Sequence, residues 1–594
     1  MPNLSQLKRQ KMLEFLQKIR AEHTDDESLI AINEIETALN EKKYGLVWEE
    51  HEERVDIEMQ TKVPVFTEVA DREIISDKAL PYNFLLEGDN LHSLKLLEKT
   101  HKGMIDLIYI DPPYNTGKKD FVYDDTMIGL DDGYRHSKWL SFMYERLEIA
   151  KKLLSQQGII FISIDDNEQA NLKLLCDNVF GEENFISMLS VENNPKGRKN
   201  SSFVSVSNEY CVIYAKDKNS SYFIENIPKP SSDLALDENG VYVHNSGKRV
   251  LVGENSFNKK VDNFNSDKHY SVYFNEKIQD VQIVVDEAID KPNEALLLQG
   301  YRRYYSYSEN EFVENTYSKT KFLELVENGA LDFKADKIYE KNFSTTIRIK
   351  SLIVNKKYKA IVNNEEVEYQ IDVKTTSAGS ELKNIFNTAK PIFSNPKNVN
   401  YIKLLISLMP TKDLIVLDFF AGSGTTAQAV MEMNEVDGGT RKFILCTNNE
   451  NNICENITYP RIKTVISGKR TNGSKYSEGI LANLKYYKTD FVDKISEDEN
   501  YSVNDNLLNH IAEMVQLEYA VKLDGTNYVL IMSDEEADMF IADSEKLSNC
   551  KALYISTAVL LTSEQQEAIK RNNINVFIIP DYYFESELLE VGER

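Results

Sequence analysis

Two separate stretches of the chain alternate between short apolar runs and amphipathic segments, and this pattern constrains the fold more than any other feature. In the first, from about 80 to 215, the runs M-I-D-L-I-Y-I (104–110) and G-I-I-F-I-S-I (158–164) are separated by a segment with helical periodicity. In the second, D-L-I-V-L-D-F-F (413–420) and K-F-I-L-C-T (442–447) flank another such segment. Such alternation predicts a mostly parallel, doubly wound α/β sheet, here interrupted in sequence.

The interruption and the two ends of the chain have a different character. The middle is rich in Asn, Lys, Ser and Tyr and has weak periodicity, whereas the end contains the apolar runs Y-V-L-I-M, A-L-Y-I-S and N-V-F-I-I-P. The start reads as two amphipathic helices that cover the next domain or a partner subunit. We therefore predict a helical region at 1–60, a first half of the sheet at 61–219, an insert at 220–380, a second half at 381–485 and a small α/β domain at 486–594.

Composition narrows the class of protein. The net charge of −26 argues against nucleic acid when taken alone, but a basic groove can lie on an acidic body. Five cysteines without a C-x-x-C pair favour reduced thiols over a disulfide framework or a zinc site. Because there is no apolar run of membrane-spanning length and the first residues are polar, we expect a cytoplasmic protein without a signal peptide.

The stretch L-D-F-F-A-G-S-G-T-T follows an apolar run and opens a helical one. Ligands of open α/β sheets bind at the carboxyl ends of strands, where Gly422 and Gly424 would let the backbone approach a ligand. Asp418 can bond an amine or a hydroxyl group. No lysine follows the glycines, which disfavours a triphosphate cradle. The alternative interpretation is a tight strand-to-helix turn.

Glu450 lies just past the next predicted strand. An acid at this position suits a ribose diol. A solvated loop acid is an equally good interpretation.

The stretch D-P-P-Y ends another predicted strand. Pro112 and Pro113 lack N–H groups, so they cannot continue a ladder, and we expect both of their carbonyls to be free to accept hydrogen bonds. Asp111 is a further acceptor, and Tyr114 offers a flat face. Together they predict a pocket for a flat ligand that bears an NH₂ group. A strand that simply ends at proline is the alternative.

D-P-P-Y-N-T-G together with D-F-F-A-G-S-G-T-T resembles the S-adenosylmethionine-dependent DNA amino-methyltransferases. The catalytic motif precedes the cofactor motif, which is the permuted order of their beta class. With the flanking motifs, residues 40–480 resemble the modification (Mod) subunits of Type III restriction-modification systems. These motifs are F-L-L-E-G-D-N-L-H-S-L (84–94), N-P-K-G-R-K-N (194–200), S-N-E-Y-C-V-I-Y-A-K (207–216), K-P-I-F-S-N-P-K (390–397), C-T-N-N-E-N-N-I (446–453) and T-Y-P-R-I-K (458–463).

The resemblance implies a Rossmann-like methyltransferase core with an inserted target recognition domain, and roles for particular residues. Asp111 and the Pro112 carbonyl would accept hydrogen bonds from N6 of a flipped-out adenine, with Pro113 and Tyr114 completing the catalytic motif and Tyr114 stacking on the base. No metal is needed. The residues implied at the cofactor are Asp418, Phe420, Gly422 and Gly424 at its methionine part, Lys390 and Asn395 closing that side, Glu450 at the ribose and Asp89 at the adenine, with Thr425 as a further cofactor-binding residue.

Clusters of basic residues are candidates for DNA contacts. Lys196, Arg198 and Lys199 lie in one predicted loop, and Arg302 and Arg303 are interleaved with aromatic residues. Such side chains contact phosphate or stack on bases. Solvated surface charge is as good an interpretation of any single one. The insert is the best candidate for sequence recognition.

The resemblance implies a site-specific adenine-N6 methyltransferase acting on double-stranded DNA. An aspartate at 111, where cytosine-N4 enzymes usually carry serine, favours adenine. A solitary DNA methyltransferase, a cytosine-N4 or RNA methyltransferase, and a non-catalytic DNA-binding specificity subunit are the alternatives. We expect a homodimer. The sequence contains no Walker A motif and no convincing nuclease pattern, so any cleavage would need a separate restriction subunit.

Overall fold

The computed structural model of the chain forms two compact units. The first consists of Met1–Tyr222, Ser351–Val354 and Asp372–Arg594, and the second of Phe223–Lys350 and Asn355–Ile371. The predicted domain bounds and the roles attached to them stay predictions. The residues that the structure describes are 4–22, 26–40, 48–49, 51, 53–123, 126–129, 131–197, 203–237, 239–251, 253–495, 502–579 and 583–592.

A ten-stranded sheet is the centre of the first unit. Its strands are β1 Lys62–Glu68, β2 Tyr82–Glu87, β3 Ile105–Ile110, β4 Leu154–Ile164, β5 Phe185–Val191, β6 Glu209–Ala215, β7 Leu352–Ile353, β8 Ile415–Asp418, β9 Lys442–Thr447 and β10 Asn483–Asp493. Their order across the sheet is β1-β10-β2-β9-β8-β3-β4-β6-β5-β7. The six strands from β10 to β4 are parallel, whereas β1 and β6 run antiparallel to their neighbours. The predicted α/β fold class is confirmed.

The strands that end in the two main motifs are neighbours in this sheet. Val416 of β8 lies opposite Leu107 of β3, and Leu417 lies opposite Ile108. The chain runs from β3 to β4 on one side and from β8 to β9 on the other. This reversal of strand order opens a crevice at the carboxyl ends of β3 and β8, where open α/β sheets bind their ligands.

Burial on both faces explains why the central strands are nearly continuous apolar runs. In β3, Ile105, Leu107, Ile108 and Ile110 are all buried. The helices of the first unit are Leu4–Glu22, Asp26–Asn40, Arg54–Thr61, Asn90–Thr100, Arg135–Leu153, Gln169–Phe180, Thr375–Phe386, Val399–Ile406, Thr425–Asp437, Tyr459–Ser467, Val503–Leu508, Ile511–Tyr519, Asp534–Ala542, Ser544–Asn549, Ser563–Arg571 and Glu585–Val591.

Two smaller sheets belong to the same unit. The strands Tyr528–Ile531, Ala552–Ser556 and Asn575–Ile579 form a parallel sheet near the end of the chain, as predicted from their apolar runs. The strands Lys118–Tyr123 and Thr126–Gly129 form an antiparallel pair after the D-P-P-Y motif.

The second unit consists of short strands around a core of its own, which includes Val272, Tyr304, Phe322 and Ile338. Its largest sheet has four strands, and its helices are Glu294–Leu298 and Lys319–Glu327. The short elements account for the weak periodicity of this part of the sequence. The strands, grouped by sheet, are Leu234–Leu236, Tyr242–Leu251, Ile338–Asn342 and Leu331–Phe333; Gly253–Glu254, Ser306–Ser308 and Glu311–Phe312; Asp280–Val284, Ser271–Asn275 and Arg302–Tyr304; Thr346–Ile347 and Ile227–Pro228; and Lys356–Val362 and Glu365–Ile371.

Several general features concern the described residues as a whole. The five cysteines are buried free thiols. None of the described helices combines the length and the apolar character that crossing a membrane requires. Within the same residues, no group of three or more His, Cys, Asp and Glu side chains is placed to hold a metal ion.

Candidate active site

A cavity of about 880 Å³ lies in the first unit at the carboxyl ends of β3 and β8. Its wall includes Asp111, Pro112, Pro113 and Tyr114 from the end of β3, and the segment 420–423 with Asp418 from the end of β8. Further wall residues come from the ends of β4 and β6 and from the loop before the helix Val399–Ile406. The volume suits a small organic ligand. The two motifs that are widely separated in sequence therefore share one cleft.

The two prolines of D-P-P-Y end β3 but do not offer equivalent acceptors. The Trp139 indole Nε1 donates a hydrogen bond of 2.7 Å to the Pro113 carbonyl oxygen. The expectation that both proline carbonyls are free is therefore wrong for Pro113, because a buried indole N–H needs a partner. Pro112 stays the candidate acceptor.

Asn115 fixes the loop that follows D-P-P-Y. Its backbone has a φ of 55°, a left-handed conformation that Asn tolerates. The buried Asn115 side chain donates to Glu168 Oε1 at 2.5 Å and to the Arg135 carbonyl oxygen at 3.2 Å. Glu168 is itself buried and lies 2.6 Å from His136 Nδ1. These contacts tie the catalytic motif to the helices that precede and follow β4 in the chain, Arg135–Leu153 and Gln169–Phe180.

A lysine from the second half of the sheet region, residues 381–485, reaches into the catalytic motif. Lys397 Nζ donates to the Tyr114 hydroxyl at 2.6 Å and to Glu209 Oε1 at 2.7 Å, and it lies 3.2 Å from Asp111 Oδ1. The Tyr114 hydroxyl in turn donates to Asp111 Oδ1 at 2.8 Å. Lys397 and Glu209 lie in the motifs K-P-I-F-S-N-P-K and S-N-E-Y-C-V-I-Y-A-K, but no role was predicted for either residue.

The charges in this cluster shift one another's pKa values. Burial raises the pKa of Asp111, and Glu209 adds to this, while Lys397 opposes it. Burial lowers the pKa of Lys397, but the two carboxylates outweigh this effect and hold it above its ordinary value. Burial and both carboxylates raise the pKa of Tyr114 well above its usual range, so its hydroxyl stays a hydrogen-bond donor.

The glycine motif follows β8 in a backbone conformation that favours glycine. Gly422 and Gly424 have φ values of 47° and 77°. A Cβ on Gly424 would lie 3.2 Å from Thr458 Cγ2, a tight contact. Thr458 Oγ1 donates to the Gly422 carbonyl oxygen at 2.6 Å. The loop is therefore packed on its inner side and open toward the cavity.

A buried arginine supports this loop from below. Arg461 Nη1 donates to the Ser423 carbonyl oxygen at 3.2 Å, to Ser423 Oγ at 3.0 Å and to Thr425 Oγ1 at 2.8 Å. Its Nε donates to Gln428 Oε1 at 2.9 Å. Burial lowers the pKa of Arg461 to about 10, which leaves it charged at neutral pH. The stretch T-Y-P-R-I-K contained this residue, but nothing in its pattern indicated the contact.

Asp418 is a buried carboxylate in the cavity wall. Oδ1 accepts from the Phe420 backbone N–H at 3.1 Å, and Oδ2 accepts from Thr426 Oγ1 at 2.5 Å. Burial raises the pKa of Asp418 to about 7, and the nearby Asp111 adds to this. Such a group stabilises a cation placed beside it.

Other predicted cofactor residues differ in position. Asn395 and Phe420 line the cavity, whereas Asp89, Lys390 and Glu450 do not. Lys390 and Glu450 are exposed. Asp89 caps the helix Asn90–Thr100 through the Leu91 backbone N–H at 2.7 Å. The roles proposed for these three residues stay predictions.

The predicted DNA-contact residues also divide. Arg302 is exposed in the second unit. Arg303 donates to Asp286 Oδ2 at 2.7 Å and to the Ile289 carbonyl oxygen at 2.6 Å, so its guanidinium has partners inside that unit. A DNA contact of Arg303 stays a prediction. Lys196 is exposed in a loop of the first unit, and Arg198 and Lys199 lie outside the described residues.

Comparison with known proteins gives consistent matches. A family model described as DNA methylase matches residues 105–458, which is more than half of the chain. The EcoPI Mod subunit of the Type III restriction-modification enzyme of Escherichia phage P1 is 35% identical over 62% of this chain and 58% of its own length. The Type II methyltransferase M.KpnI of Klebsiella pneumoniae is 33% identical over 68% of this chain and 88% of its own length. The StyLTI Mod subunit of the Type III restriction-modification enzyme of Salmonella typhimurium is 32% identical over 65% of this chain and 56% of its own length.

Proposed function

The chain belongs to the DNA methylase family, and from that premise we propose that it methylates N6 of adenine in double-stranded DNA with S-adenosylmethionine as the methyl donor. The observation that carries this proposal is the cavity shared by Asp111 and Asp418. A methyl transfer needs an acceptor site for the target amine and a site for the donor within one cleft, and positioning supplies most of the catalysis.

The wall of the cavity fits this donor. When bound, S-adenosylmethionine supplies an electrophilic methyl carbon on a sulfonium. The wall of the cavity carries Asp111, Asp418, Asp165 and Asp166, an excess of acids that favours a cationic ligand. A Cβ on Gly422 would reach to 3.5 Å from Phe393 Cζ, so glycine leaves space at this wall. Asp418, Phe420, Gly422, Gly424, Thr425 and Asn395 are the proposed binding residues, with Asp89, Lys390 and Glu450 as further candidates.

The residues of the D-P-P-Y motif fit the target amine. Asp111 and the Pro112 carbonyl would accept hydrogen bonds from the two N6 protons, which favours lone-pair character on that nitrogen. The nitrogen would then form its bond to the methyl carbon while the carbon–sulfur bond breaks with its electron pair staying on sulfur. The N6 proton at Asp111 would leave to solvent. Tyr114 would lie against the base, which must leave the duplex to reach this cavity.

The relatives support a more specific assignment. EcoPI and StyLTI are named as Mod subunits of Type III restriction-modification enzymes. We propose that this chain is likewise a modification subunit that acts as a homodimer beside a separate restriction subunit. The second unit would recognise the target sequence, and Lys196, Arg198, Lys199 and Arg302 would contact the DNA backbone.

Sequencing of modified bases in DNA from cells that express this chain tests the proposal. We expect N6-methyladenine at one short recognition sequence, and none in cells that express the Asp111→Ala variant. N4-methylcytosine would replace the adenine assignment with the cytosine alternative. Unmodified DNA, with a folded protein that binds duplex DNA, would instead support a non-catalytic specificity subunit.

A further inference from the structure

The cation beside the proposed acceptor site comes from the other half of the first unit. Lys397 lies in the loop before the helix Val399–Ile406, whereas Asp111 follows β3 and Glu209 begins β6. The Lys397 and Glu209 side chains are 14% and 7% exposed, and Asp111 is 27% exposed. Removal of one partner from such a partly desolvated cluster costs more than breaking a surface ion pair, because it leaves a charge without compensation.

The acceptor role of Asp111 depends on its ionised form. A carboxylate offers only acceptors, whereas a protonated carboxyl group carries a donor that would compete with the target amine. The ionisable groups that face Asp111 are Lys397, Glu209 and the hydroxyls of Tyr114 and Tyr109, with Asp418 acting across the cavity. Among the described residues that line the cavity, Lys397 is the sole cationic side chain.

We propose that Lys397 is a positioning residue that keeps Asp111 ionised for the target amine, and that Glu209 fixes the place of the Lys397 ammonium. This inference rests on the proposed function. It follows from the 3.2 Å approach of Lys397 Nζ to Asp111 and its 2.7 Å hydrogen bond to Glu209.

Glu209 is well placed to fix that ammonium. Its Oε2 accepts from Asn193 Nδ2 at 2.9 Å and lies 3.3 Å from the Tyr114 hydroxyl, while Oε1 remains for Lys397. The ammonium is thus shared between two carboxylates. When the target amine takes its position at Asp111, Glu209 still holds Lys397 within the cleft.

The pH dependence of kcat distinguishes this role from a structural one. We would measure methyl transfer at saturating duplex DNA and S-adenosylmethionine for the wild type, Lys397→Met and Lys397→Arg. Loss of the cation raises the pKa of Asp111, so we expect the acid limb of Lys397→Met to move up by about one pH unit, with about a tenfold larger loss at acid pH than at alkaline pH. Lys397→Arg should keep the wild-type limb.

Glu209→Gln provides a test with the opposite sign. The amide preserves the size of the side chain and an oxygen that can accept from Lys397 Nζ, so the ammonium keeps its place. It removes only a negative charge that raises the pKa of Asp111. We therefore expect the acid limb to move to lower pH. Calorimetric binding of S-adenosylmethionine, which should stay within about threefold of the wild type, checks that each variant is folded.

The outcomes separate this inference from the proposed function. A Lys397→Met profile that is lowered by one factor at every pH would overturn the inference, as would limbs that move in the same direction in Lys397→Met and Glu209→Gln. A folded wild type that binds S-adenosylmethionine but methylates no DNA at any pH would overturn the proposed function itself.

Discussion

Replacement of Asp418 by asparagine should remove a pH dependence from cofactor binding. Asp418 is buried, and its pKa of about 7 lies far above the ordinary value of 3.8 because burial disfavours the charged form. A cationic ligand beside it favours ionisation. Binding of S-adenosylmethionine is therefore coupled to release of the Asp418 proton, and affinity should rise as pH rises through about 7.

The size of this effect follows from the pKa. At about pH 6 the group is mostly protonated, and ionisation costs about 1.4 kcal/mol; at about pH 8 the cost is negligible. The dissociation constant should therefore be about tenfold larger at the lower pH. For the free protein the sign is reversed: the raised pKa contributes stability that is present below 3.8 and is lost as pH rises through about 7.

Isothermal titration calorimetry in buffers of different ionisation enthalpy measures both the affinity and the protons released. We expect about one proton released by the wild type near pH 6 and a flatter profile for Asp418→Asn. Thr426→Val removes the hydroxyl that donates to Asp418 Oδ2, so its transition should move to higher pH. Asp111→Asn is the control and should retain the dependence, with its transition moved to lower pH because the Asp111 carboxylate also raises the pKa of Asp418. If Asp418→Asn keeps the wild-type slope, Asp418 does not face the cationic part of the ligand.

Three further predictions concern the supports of the site and the DNA contacts. Gly424→Ala should lower stability by about 1–2 kcal/mol and weaken cofactor binding, because it adds a left-handed alanine and a tight contact with Thr458. The control is Gly438→Ala at the other end of the same helix, where the added Cβ meets open space and should cost stability alone. Thermal shift measures the stability and calorimetry the affinity, and equal affinities in the two variants would refute the reasoning. Arg461→Met should raise the dissociation constant for S-adenosylmethionine because it removes the three hydrogen bonds that Nη1 makes to the glycine loop. An unchanged constant in a folded variant would show that the loop holds its shape without them. Arg302→Ala should weaken DNA binding and reduce its salt dependence by about one counterion, without a change in the melting temperature of the protein. Arg303→Ala should instead lower the melting temperature. Filter binding over a salt series and thermal shift measure the two effects, and a reversal of these roles would refute the prediction.

The sequence was sufficient to predict the central sheet and the meeting of its two halves. The apolar runs at β3 and β8 are long enough to be buried on both faces, and the carboxyl ends of parallel strands lie at one edge. The positive φ values at Gly422 and Gly424 were not part of the prediction, which rested on their lack of a Cβ.

The partners of individual charged side chains were not predictable in the same way. The stretch K-P-I-F-S-N-P-K contains two lysines, and only the packing of its loop against β6 determines that Lys397, rather than Lys390, reaches Asp111. Arg303 was expected to face DNA because its neighbours are basic and aromatic, but Asp286 of a neighbouring segment binds it. Local pattern does not report which distant partner a charged side chain will find.

Mass spectrometry of nuclease-digested duplex DNA, after incubation with the purified chain and S-adenosylmethionine carrying a labelled methyl group, tests the central claim most directly. We expect the label in N6-methyladenine with the wild type, and no label with Asp111→Ala, whose affinity for S-adenosylmethionine should be retained. Wild-type labelling by Asp111→Ala, or label in any base other than adenine, would contradict the assignment of Asp111 and its cavity to adenine methylation.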